Sequence, residues 1–561
     1  MADPREYTIM EERQEQMVSP RGENSTRRVG HFLKPSVTTI EVKVFNLPSD
    51  SLSSATPTSQ AKKSTLKVEF NGWKGSQDTW IEWVNHMYPL HQEAWKRAGI
   101  HDAILSTTNK IRSDHDLVCK VAEKWCPETN TFVFPFGEST ITLEDMIVLG
   151  GYSVLGNSVL CSFASKEKEE IRDKLLHERL KLGRSSSKKA AQAAWIKKFK
   201  KTGNQIEHEA FLAAWLSRFV FPSRPIDTVG KHVFSIAILL ASGNKIALAP
   251  AVLASLYKDL KLLKQRIVTV SNNLETNQLP TLVLWAPFQL IQIWVWERFS
   301  NLRPSPKSIR NGLPRLAKWD KAKKLNPGLV GNVILWDRKC FRWRPYAMDM
   351  NNRLFHKFYS DKEEWLLIGS GLDEDFESFA RCMRVCELIG FGCIEQYLPH
   401  RVAMQFGMDQ DLPGFVARAN ATLKIAWKNY TRPITGEKLY IPSRFFKSAV
   451  TTRYLYWWES SVVKRVVKIG DRERENHYGN LQSVERLMNL GKMVGTGELV
   501  VERSDRVVVG ENVSGAENTE IVSEIEEQEL EARLTRLEIK LAKLKEERLG
   551  RSLESKSAEG S

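Results

Sequence analysis

Large aromatic side chains that recur at helical spacing are the feature that most constrains how this chain can fold. In residues 207–220 they form one apolar stripe of a helix with 3.6 residues per turn. The stripe consists of Phe211, Leu212, Trp215, Leu216 and Phe219. The chain holds 17 Trp and 24 Phe, and each such ring buries ~150–250 Å² when it is interior. The pattern therefore predicts a substantial core between helices.

Further helices are predicted where this spacing returns, over 232–242, 250–263 and 287–299. Strand signals are fewer and short. Residues 131–134 are β-prone and lead into a Pro-Phe-Gly turn, after which Thr142 is predicted to N-cap a short helix, with Asp145 at its third position and a stop at Gly150. Residues 332–336 and 341–344 are a candidate hairpin. The sequence thus predicts a mainly α fold with minor short strands.

Composition divides the chain into five predicted segments. Residues 1–65 hold few large apolar side chains and end in a Ser/Thr/Pro-rich stretch, which predicts a disordered leader. Residues 66–467 are predicted to form one large helical domain, interrupted by a Lys-rich insertion at about 162–202 that is either a loop or an exposed helix. A mostly irregular linker over 468–519, a short coiled-coil helix over 520–550 and a disordered tail over 551–561 complete the prediction.

Leucines spaced 4, 3, 4 and 3 residues apart form the seam of the predicted coiled coil. They are Leu530, Leu534, Leu537, Leu541 and Leu544. In a parallel homodimer Lys540 would face Lys545, and this repulsion disfavours that arrangement. An antiparallel pairing or a different partner, whose identity the sequence leaves unknown, is expected instead.

Charge and cysteine content exclude several classes of protein. The chain carries 82 Lys+Arg against 67 Asp+Glu, a net charge of +15, although residues 517–531 hold seven Glu and no basic residue. A basic body with an acidic tail fits a nuclear protein that meets polyanions, and equally a soluble protein without a nucleic-acid role. Seven cysteines, an odd number, suit a reducing compartment. The longest apolar runs fall short of the ~20 residues of a membrane span, and the charged N-terminus does not resemble a secretion signal.

The common catalytic motifs are absent. The sequence contains no phosphate-binding G-x-x-x-x-G-K-[ST] or G-x-G-x-x-G turn, no G-x-S-x-G nucleophile elbow and no H-E-x-x-H. His208, between two glutamates at a predicted helix start, is interpreted as a solvated or capping residue. No lysine can be nominated for Schiff-base chemistry. We therefore predict no enzyme activity, and no catalytic, cofactor-binding or metal-binding residue is assigned.

Two groups of metal-ligand residue types need a structural explanation. One group has the residue types of a zinc site, three cysteines and one histidine, at Cys382, Cys386, Cys393 and His400. Cys382 and Cys386, however, fall four residues apart in a predicted helix beside apolar residues, which favours packing on one helical face. The acidic runs 373–375 and 409–411 have the chemistry of Mg²⁺ ligands, but such runs are usually solvated turns or helix starts, and this interpretation is favoured.

Basic stretches are the remaining chemical signal. They lie at 188–189, 197–201, 258–266, 315–324 and 338–344, often beside aromatic rings, as in single-strand binders. Lysine on exposed helix faces is common, so nucleic-acid binding through these patches is the alternative and not the first hypothesis.

Five ordered motifs, with the tryptophan-rich helices that precede them, carry a family resemblance. They are TFVFPFGESTITLEDMIVLGGYSVLGNSV at 131–159, EHEAFLAAWLSRFVFPS at 207–223, VFSIAILLASGNKIALAPAVLASLYKDL at 233–260, LVLWAPFQLIQIWVWERF at 282–299 and RVAMQFGMDQDLPG at 401–414. Together they resemble the plant mobile domain, a family also catalogued as aminotransferase-like. The resemblance spans about Trp73 to Tyr456.

The resemblance implies a plant protein from a group related to retrotransposon-encoded sequences. Host members of the family are nuclear and act in transposon silencing, gene expression and meristem maintenance. Some relatives carry the domain fused to a serine/threonine phosphatase, and others act beside one. This chain lacks the GDxHG, GDxVDRG and GNHE metal-binding set of the phosphatase, and the matched motifs transfer no catalytic lysine because they consist of packing and turn residues.

Three hypotheses follow from these observations. The first is a non-enzymatic nuclear interaction module whose partners are nuclear proteins, including, by resemblance, a serine/threonine phosphatase. The second is a transposon-derived protein that binds nucleic acid, and the third and least favoured is a cryptic enzyme dependent on pyridoxal phosphate or a metal. Polar residues inside the apolar motifs are expected to form buried ion pairs, with a partner surface as the alternative. They are Arg218, Glu297, Arg298, Arg401 and Asp409.

Overall fold

Helices with buried aromatic residues carry the body of the fold. The structure is a computed structural model, and it describes residues 9–22, 24–39, 66–162, 165–184, 189–272, 280–310, 312–323, 338–348, 357–368, 371–417, 419–420, 422–434 and 438–461. Its α-helices are α1 Asp78–Arg97, α2 His101–Ser106, α3 His115–Ala122, α4 Leu143–Val148, α5 Lys166–Gly183, α6 Gln192–Phe199, α7 Glu207–Trp215, α8 Phe234–Ala241, α9 Leu248–Asn272, α10 Gln289–Arg298, α11 Glu374–Met383 and α12 Leu423–Thr431. The mainly α prediction is confirmed. The predicted linker, coiled coil and tail, residues 468–561, lie outside the described residues.

The predicted apolar stripe is buried at the centre of the helical body. Its five side chains are at most 3 % exposed. Phe211 stacks on Trp80 of α1 with ring centroids 5.0 Å apart, and Trp83 meets it edge-on at 5.2 Å. A period of 3.6 residues was predicted through residue 220, but the α-helix ends at Trp215. The backbone N–H of Phe221 donates to the carbonyl of Leu216, five residues back, at 2.7 Å, so Leu216–Val220 is a π-helical turn.

The three other predicted helices are present with shifted ends as α8, α9 and α10. Helix α9 begins before Pro250, so the proline lies in the first turn, where its missing N–H breaks no hydrogen bond. It continues to Asn272, well beyond the predicted end at 263. Across the described ranges, no helix combines the length and the apolarity needed to span a lipid bilayer.

Short strands frame the helices. They are β1 Met10–Val18, β2 Thr26–Leu33, β3 Val68–Phe70, β4 Trp125–Cys126, β5 Thr131–Phe134, β6 Gly137–Ser139, β7 Leu282–Leu284, β8 Glu364–Leu367, β9 Cys386–Gly390, β10 Cys393–Tyr397, β11 Lys438–Ile441 and β12 Val450–Thr451. They form the sheets β12-β1-β2 and β4-β5-β6 and the pairs β9-β10, β8-β11 and β3-β7. Only the pair β3-β7 is parallel among these described strands.

The predicted turn between strand and helix is confirmed. Phe134 pairs with Gly137 across the β5–β6 turn. Thr142 N-caps α4, and the Asp145 side chain accepts a bond from the Thr142 backbone N–H, so the two residues form a reciprocal capping box. Helix α4 ends at Val148, just before Gly150.

An N-terminal hairpin replaces part of the predicted disordered leader. Strands β1 and β2 pair from Met10↔Leu33 to Met17↔Thr26, and β1 also pairs with β12 near Thr451. Met17 and Phe32 are at most 1 % exposed. The prediction over 1–65 is therefore wrong for the described residues 9–39. Composition misled it because the apolar and charged partners of the hairpin lie some 400 residues further along the chain.

The structure confirms the predicted insertion only in part, and it describes only part of the second candidate hairpin. Helix α5 is largely solvated and buries only Leu175 of its described side chains, whereas α6 buries Trp195 and Phe199 completely. The end of the insertion is thus part of the core. Residues 332–336 of the candidate hairpin lie outside the described residues, and Phe341 bridges to Phe299.

Candidate functional site

Arg298 and Asp145 form a buried ion pair at the centre of the body. Arg298 Nη2 donates to Asp145 Oδ1 at 2.9 Å, and both side chains are 0 % exposed. The Tyr346 hydroxyl donates to the same oxygen, while the other Asp145 oxygen accepts the Thr142 backbone N–H at 2.7 Å. One carboxylate therefore ties α4, α10 and the segment that holds Tyr346.

Glu144, beside this pair, is a buried acid that the sequence analysis missed. Burial, and secondarily the charge of Asp145, raises the pKa of Glu144 to about 7. The Tyr359 hydroxyl donates to its Oε1 atom. An acid in the first turn of a helix is normally solvated, so only its fully apolar neighbours Leu143 and Met146 signalled burial.

Arg401 also has a buried acidic partner, as predicted for these polar residues. Its Nε atom donates to Glu138 Oε1 at 3.0 Å, and its Nη2 atom lies 2.9 Å from Glu138 Oε2. Both side chains are 1 % exposed. The pair joins β6 to the 3-10 helix Pro399–Phe406.

Asp409 and Asp411 are not solvated, and they belong to no group of three metal-ligand side chains among the described residues. Asp409 accepts two bonds from Arg28, at 2.8 and 2.9 Å, and a third from the Ala449 N–H at 2.8 Å. Asp411 accepts two from Arg453, at 2.8 and 2.6 Å, and one from Arg13. The interpretation of 409–411 as a solvated turn is therefore wrong. These carboxylates hold the N-terminal hairpin against the body by charge-assisted hydrogen bonds.

Arg218 differs from the other four polar residues. It donates to the side-chain oxygen of Gln192 at 2.9 Å and to the carbonyl of Gly75 at 3.1 Å. Burial lowers its pKa, and the more distant Asp227 opposes this shift. The expected direct ion pair is thus replaced by bonds to neutral oxygen atoms.

The Cys/His group is distributed over several elements. Cys382 lies in the last turn of α11 and is completely buried, but Cys386 begins β9 and Cys393 begins β10. The prediction of one helical face is therefore wrong for Cys386, although packing holds for both. His400 is 3 % exposed, and burial lowers its pKa well below the usual value.

His208 and Asp373 have structural roles. The Trp95 Nε1 atom donates to His208 Nε2 at 3.0 Å, and the His208 ring stacks on His91 at 3.7 Å. Burial and the charge of His91 lower the His208 pKa to about 3, so the solvated interpretation is wrong. Asp373 N-caps α11 through the Asp375 N–H, as favoured for this acidic run.

Three of the predicted basic stretches contain a cation that is engaged within the protein. Lys198 pairs with Glu178 at 2.6 Å, and Lys264 donates to the Glu123 carbonyl at 2.6 Å. Arg344 donates to the Ser443 carbonyl at 2.7 Å. These stretches are therefore not continuous tracks of available cations along the surface.

The stretch at 315–324 contributes to a cleft of about 300 Å³. The cleft lies between the end of α10, the loop that follows it, the 3-10 helix Arg315–Trp319 and residues 342–348. We call it the basic cleft, and its cationic side chains are Arg303, Lys307, Arg315, Lys318 and Arg342. Among the described residues that line it, Glu297 is the single acid. Lys307 is also paired with Asp320, at 3.2 Å. The five cations still outnumber these two acids, and such an excess of cations attracts anions.

Glu297 fixes the base of the basic cleft. Its carboxylate, 1 % exposed, accepts a bond from Arg315 Nη2 at 2.8 Å and lies 3.7 Å from Lys318 Nζ. Trp319 Nε1 donates to its other oxygen at 2.9 Å. Burial favours a higher pKa for Glu297, but Arg315 and Lys318 outweigh it and lower the pKa. The carboxylate therefore stays ionised and orders two of the five cations.

The charge of this arrangement suits the binding of an anion. Within the part of the chain that the structure describes, no three His, Cys, Asp or Glu side chains are grouped so that they could hold a metal ion. The described part of the chain is thus a mainly helical body. Buried ion pairs join its elements, and it carries a basic cleft. A family model of the plant mobile domain matches residues 99–459. The chain therefore belongs to the plant mobile domain family, which confirms the resemblance.

Curated relatives from Arabidopsis thaliana match parts of the chain. It is 25% identical to the protein MAIN-LIKE 2 over 63% of this chain and 49% of that protein. It is 24% identical to the protein MAINTENANCE OF MERISTEMS over 54% of this chain and 60% of that protein. A serine/threonine-protein phosphatase 7 long form homolog is 25% identical over 54% of this chain but 22% of its own length. The chain thus spans less than two thirds of each relative, and no solved structure matches it.

Proposed function

We propose that the chain is a non-enzymatic nuclear interaction module that acts in transposon silencing, gene expression and meristem maintenance. The basic cleft carries this proposal, because it is a charged, concave surface on a body whose buried carboxylates Asp145, Glu138 and Asp411 bind arginines between elements. A charged surface on a body held rigid by internal ion pairs suits the binding of a partner protein. The meristem role is supported by the name of one relative. A serine/threonine phosphatase is a proposed partner, since one relative carries that name.

The test is disruption of the gene in its plant, followed by complementation. Loss of the protein should raise transposon transcripts and disturb the meristem. The intact chain should restore both, and its fluorescent fusion should be nuclear. Purification from nuclei with and without residues 520–561 then separates partners of the body from partners of the tail. The proposal is contradicted if transposon transcripts do not change after disruption, or if the fusion is excluded from nuclei.

The second candidate function is nucleic-acid binding, favoured by the net charge of +15 and by the basic cleft. A protein that contacts several phosphates loses affinity steeply as salt rises. Binding of the full chain to a mixed-sequence single-stranded oligonucleotide should therefore be measured at 50 and 200 mM salt. Weak binding with a shallow salt dependence argues against this function.

A further inference from the structure

We infer that the basic cleft binds a phosphoserine or phosphothreonine residue in a peptide segment of a partner protein. The inference rests on the proposed role as an interaction module and names the chemistry that the module recognises. It concerns residues 297–310, 312–318 and 342–348, to which the family match assigns no ligand.

The cations of the cleft are held in place before a ligand arrives. Arg315 is bonded to Glu297 at 2.8 Å, and its guanidinium lies 4.9 Å from the centre of the Tyr346 ring. The backbone N–H of Lys307 donates to the Lys318 carbonyl at 2.9 Å, so the loop is joined to the 3-10 helix. Fixed arginines bind phosphate well because their planar groups donate paired hydrogen bonds.

The shape and lining of the cleft favour a phosphopeptide over a nucleic-acid strand. Its volume of about 300 Å³ suits one phosphate with its neighbours, whereas a strand needs cations along an extended groove. Lys198 and Lys264, from two other basic stretches, are engaged internally, and neither lines the cleft. Ile309, Pro345 and Met348 add an apolar wall, and Met348 is 56% exposed. Such a wall suits the side chain next to a phosphoserine.

The experiment measures fluorescence anisotropy of the full chain with three labelled probes at 150 mM salt. The probes are a degenerate nonapeptide pool with central phosphoserine, the same pool with serine, and a single-stranded deoxyoligonucleotide. We expect the phosphoserine pool to bind about tenfold tighter than the serine pool. The variant Lys307→Gln/Arg342→Gln should lose this preference. The control Lys424→Gln/Lys428→Gln removes the same charge from exposed positions on α12 and should keep it, and circular dichroism verifies that both variants are folded.

Three outcomes would overturn the inference. The two pools bind equally, or the control variant loses the preference as completely as the cleft variant, or the oligonucleotide alone binds and depends on Lys307 and Arg342. The last outcome would assign the cleft to nucleic acid. Failure here is distinct from failure of the proposed function, because the peptide pools test only the ligand of the cleft, whereas complementation by the intact chain and the location of its fusion test the interaction module without reference to phosphate.

Discussion

At the scale of single residues, the interior contains charges whose partners are fixed by the fold. Arg298, Arg401 and Asp411 each face an opposite charge at hydrogen-bonding distance. Taking a charge out of water costs several kcal/mol, which the partner offsets only while it remains in place. Removal of one partner should therefore lower the free energy of unfolding more than removal of both partners.

The Arg401–Glu138 pair tests this asymmetry. Arg401→Met should lower the free energy of unfolding by about 3–5 kcal/mol, because it leaves the Glu138 carboxylate buried without its cation. The double variant Glu138→Leu/Arg401→Met should be more stable than the single variant. Urea unfolding measures both. Lys96→Met, in a pair whose side chains are 51% and 71% exposed, is the control and should change stability by less than about 1 kcal/mol. A double variant less stable than Arg401→Met would contradict the argument.

Glu144 should make stability fall as pH rises. Burial and Asp145 raise its pKa from 4.5 to about 7, so the unfolded chain releases this proton at lower pH than the folded chain. The resulting stabilisation is complete below pH 4.5 and is lost as pH rises through 7. Between pH 5 and 8, the free energy of unfolding of Glu144→Gln should change less than that of the wild type, by on the order of 2 kcal/mol.

Urea titrations at each pH measure this difference. Glu170→Gln, at an exposed position on α5, provides the control and should follow the wild type. If Glu144→Gln and the wild type give parallel pH profiles, then Glu144 does not hold its proton in the folded chain.

At the scale of elements, the N-terminal hairpin depends on acids far away in sequence. In Asp411→Asn, Arg13 and Arg453 would keep Glu15 as a shared partner but lose the second carboxylate that lies between them. Backbone hydrogen exchange in residues 9–39 should therefore accelerate, while exchange in α7 and α8 should stay the same. Glu12→Gln, whose side chain is 48% exposed on the same hairpin, should leave both regions unchanged. Equal acceleration across α7 and α8 would mean that Asp411 stabilises the whole body and not this element.

Gly151 shows how closely α4 and α2 approach. Its φ is +67°, and a Cβ atom there would lie 2.4 Å from the backbone nitrogen of Ala103. Gly203 has the same φ of +67° but no atom within 4 Å of such a Cβ. Gly203→Ala should thus cost about 1–2 kcal/mol from backbone strain alone. Gly151→Ala should cost about 3 kcal/mol or more, since α2 must also move. Thermal unfolding compares them, and equal losses would refute the close approach.

These elements show what the sequence can and cannot specify. The stripe at 207–220 and the Thr142 cap were predictable because periodicity and capping act within a few residues. The N-terminal hairpin was not, because Arg28 finds Asp409 only in the folded chain. Likewise, a basic stretch in the sequence does not show which acids will pair with its lysines in the fold, as Glu395 pairs with Lys261. The basic cleft was visible only in part, since 315–324 and 338–344 were noted as basic, but nothing in the sequence brings the two stretches together or adds Arg303 to them.

At the scale of the whole molecule, the free cysteines can report global opening. Cys126 and Cys382 are 0 % exposed, and Cys386 is 9 % exposed. Burial also raises the pKa of Cys126 to about 11 and of Cys386 to about 12, which disfavours the reactive thiolate. A disulfide reagent at pH 8 should therefore modify these three only as the chain unfolds. Cys340 and Cys161, both half-buried, should react early, whereas burial raises the pKa of the half-buried Cys119 to about 12 and of Cys393 to about 11 and slows them. The double variant Cys161→Ser/Cys340→Ser should therefore remove the early phase. Rapid modification of Cys382 in native protein would contradict the buried packing.

The pairing of β1 with β12 has a consequence during protein synthesis. Met17 leaves the ribosome more than 400 residues before its partner Thr451, an interval on the order of a minute at typical elongation rates. Throughout that interval the hairpin lacks the strand and the carboxylates that cover its inner face. Its apolar side chains are then accessible to chaperones, and the nascent chain can complete this sheet only after almost the entire body has been translated.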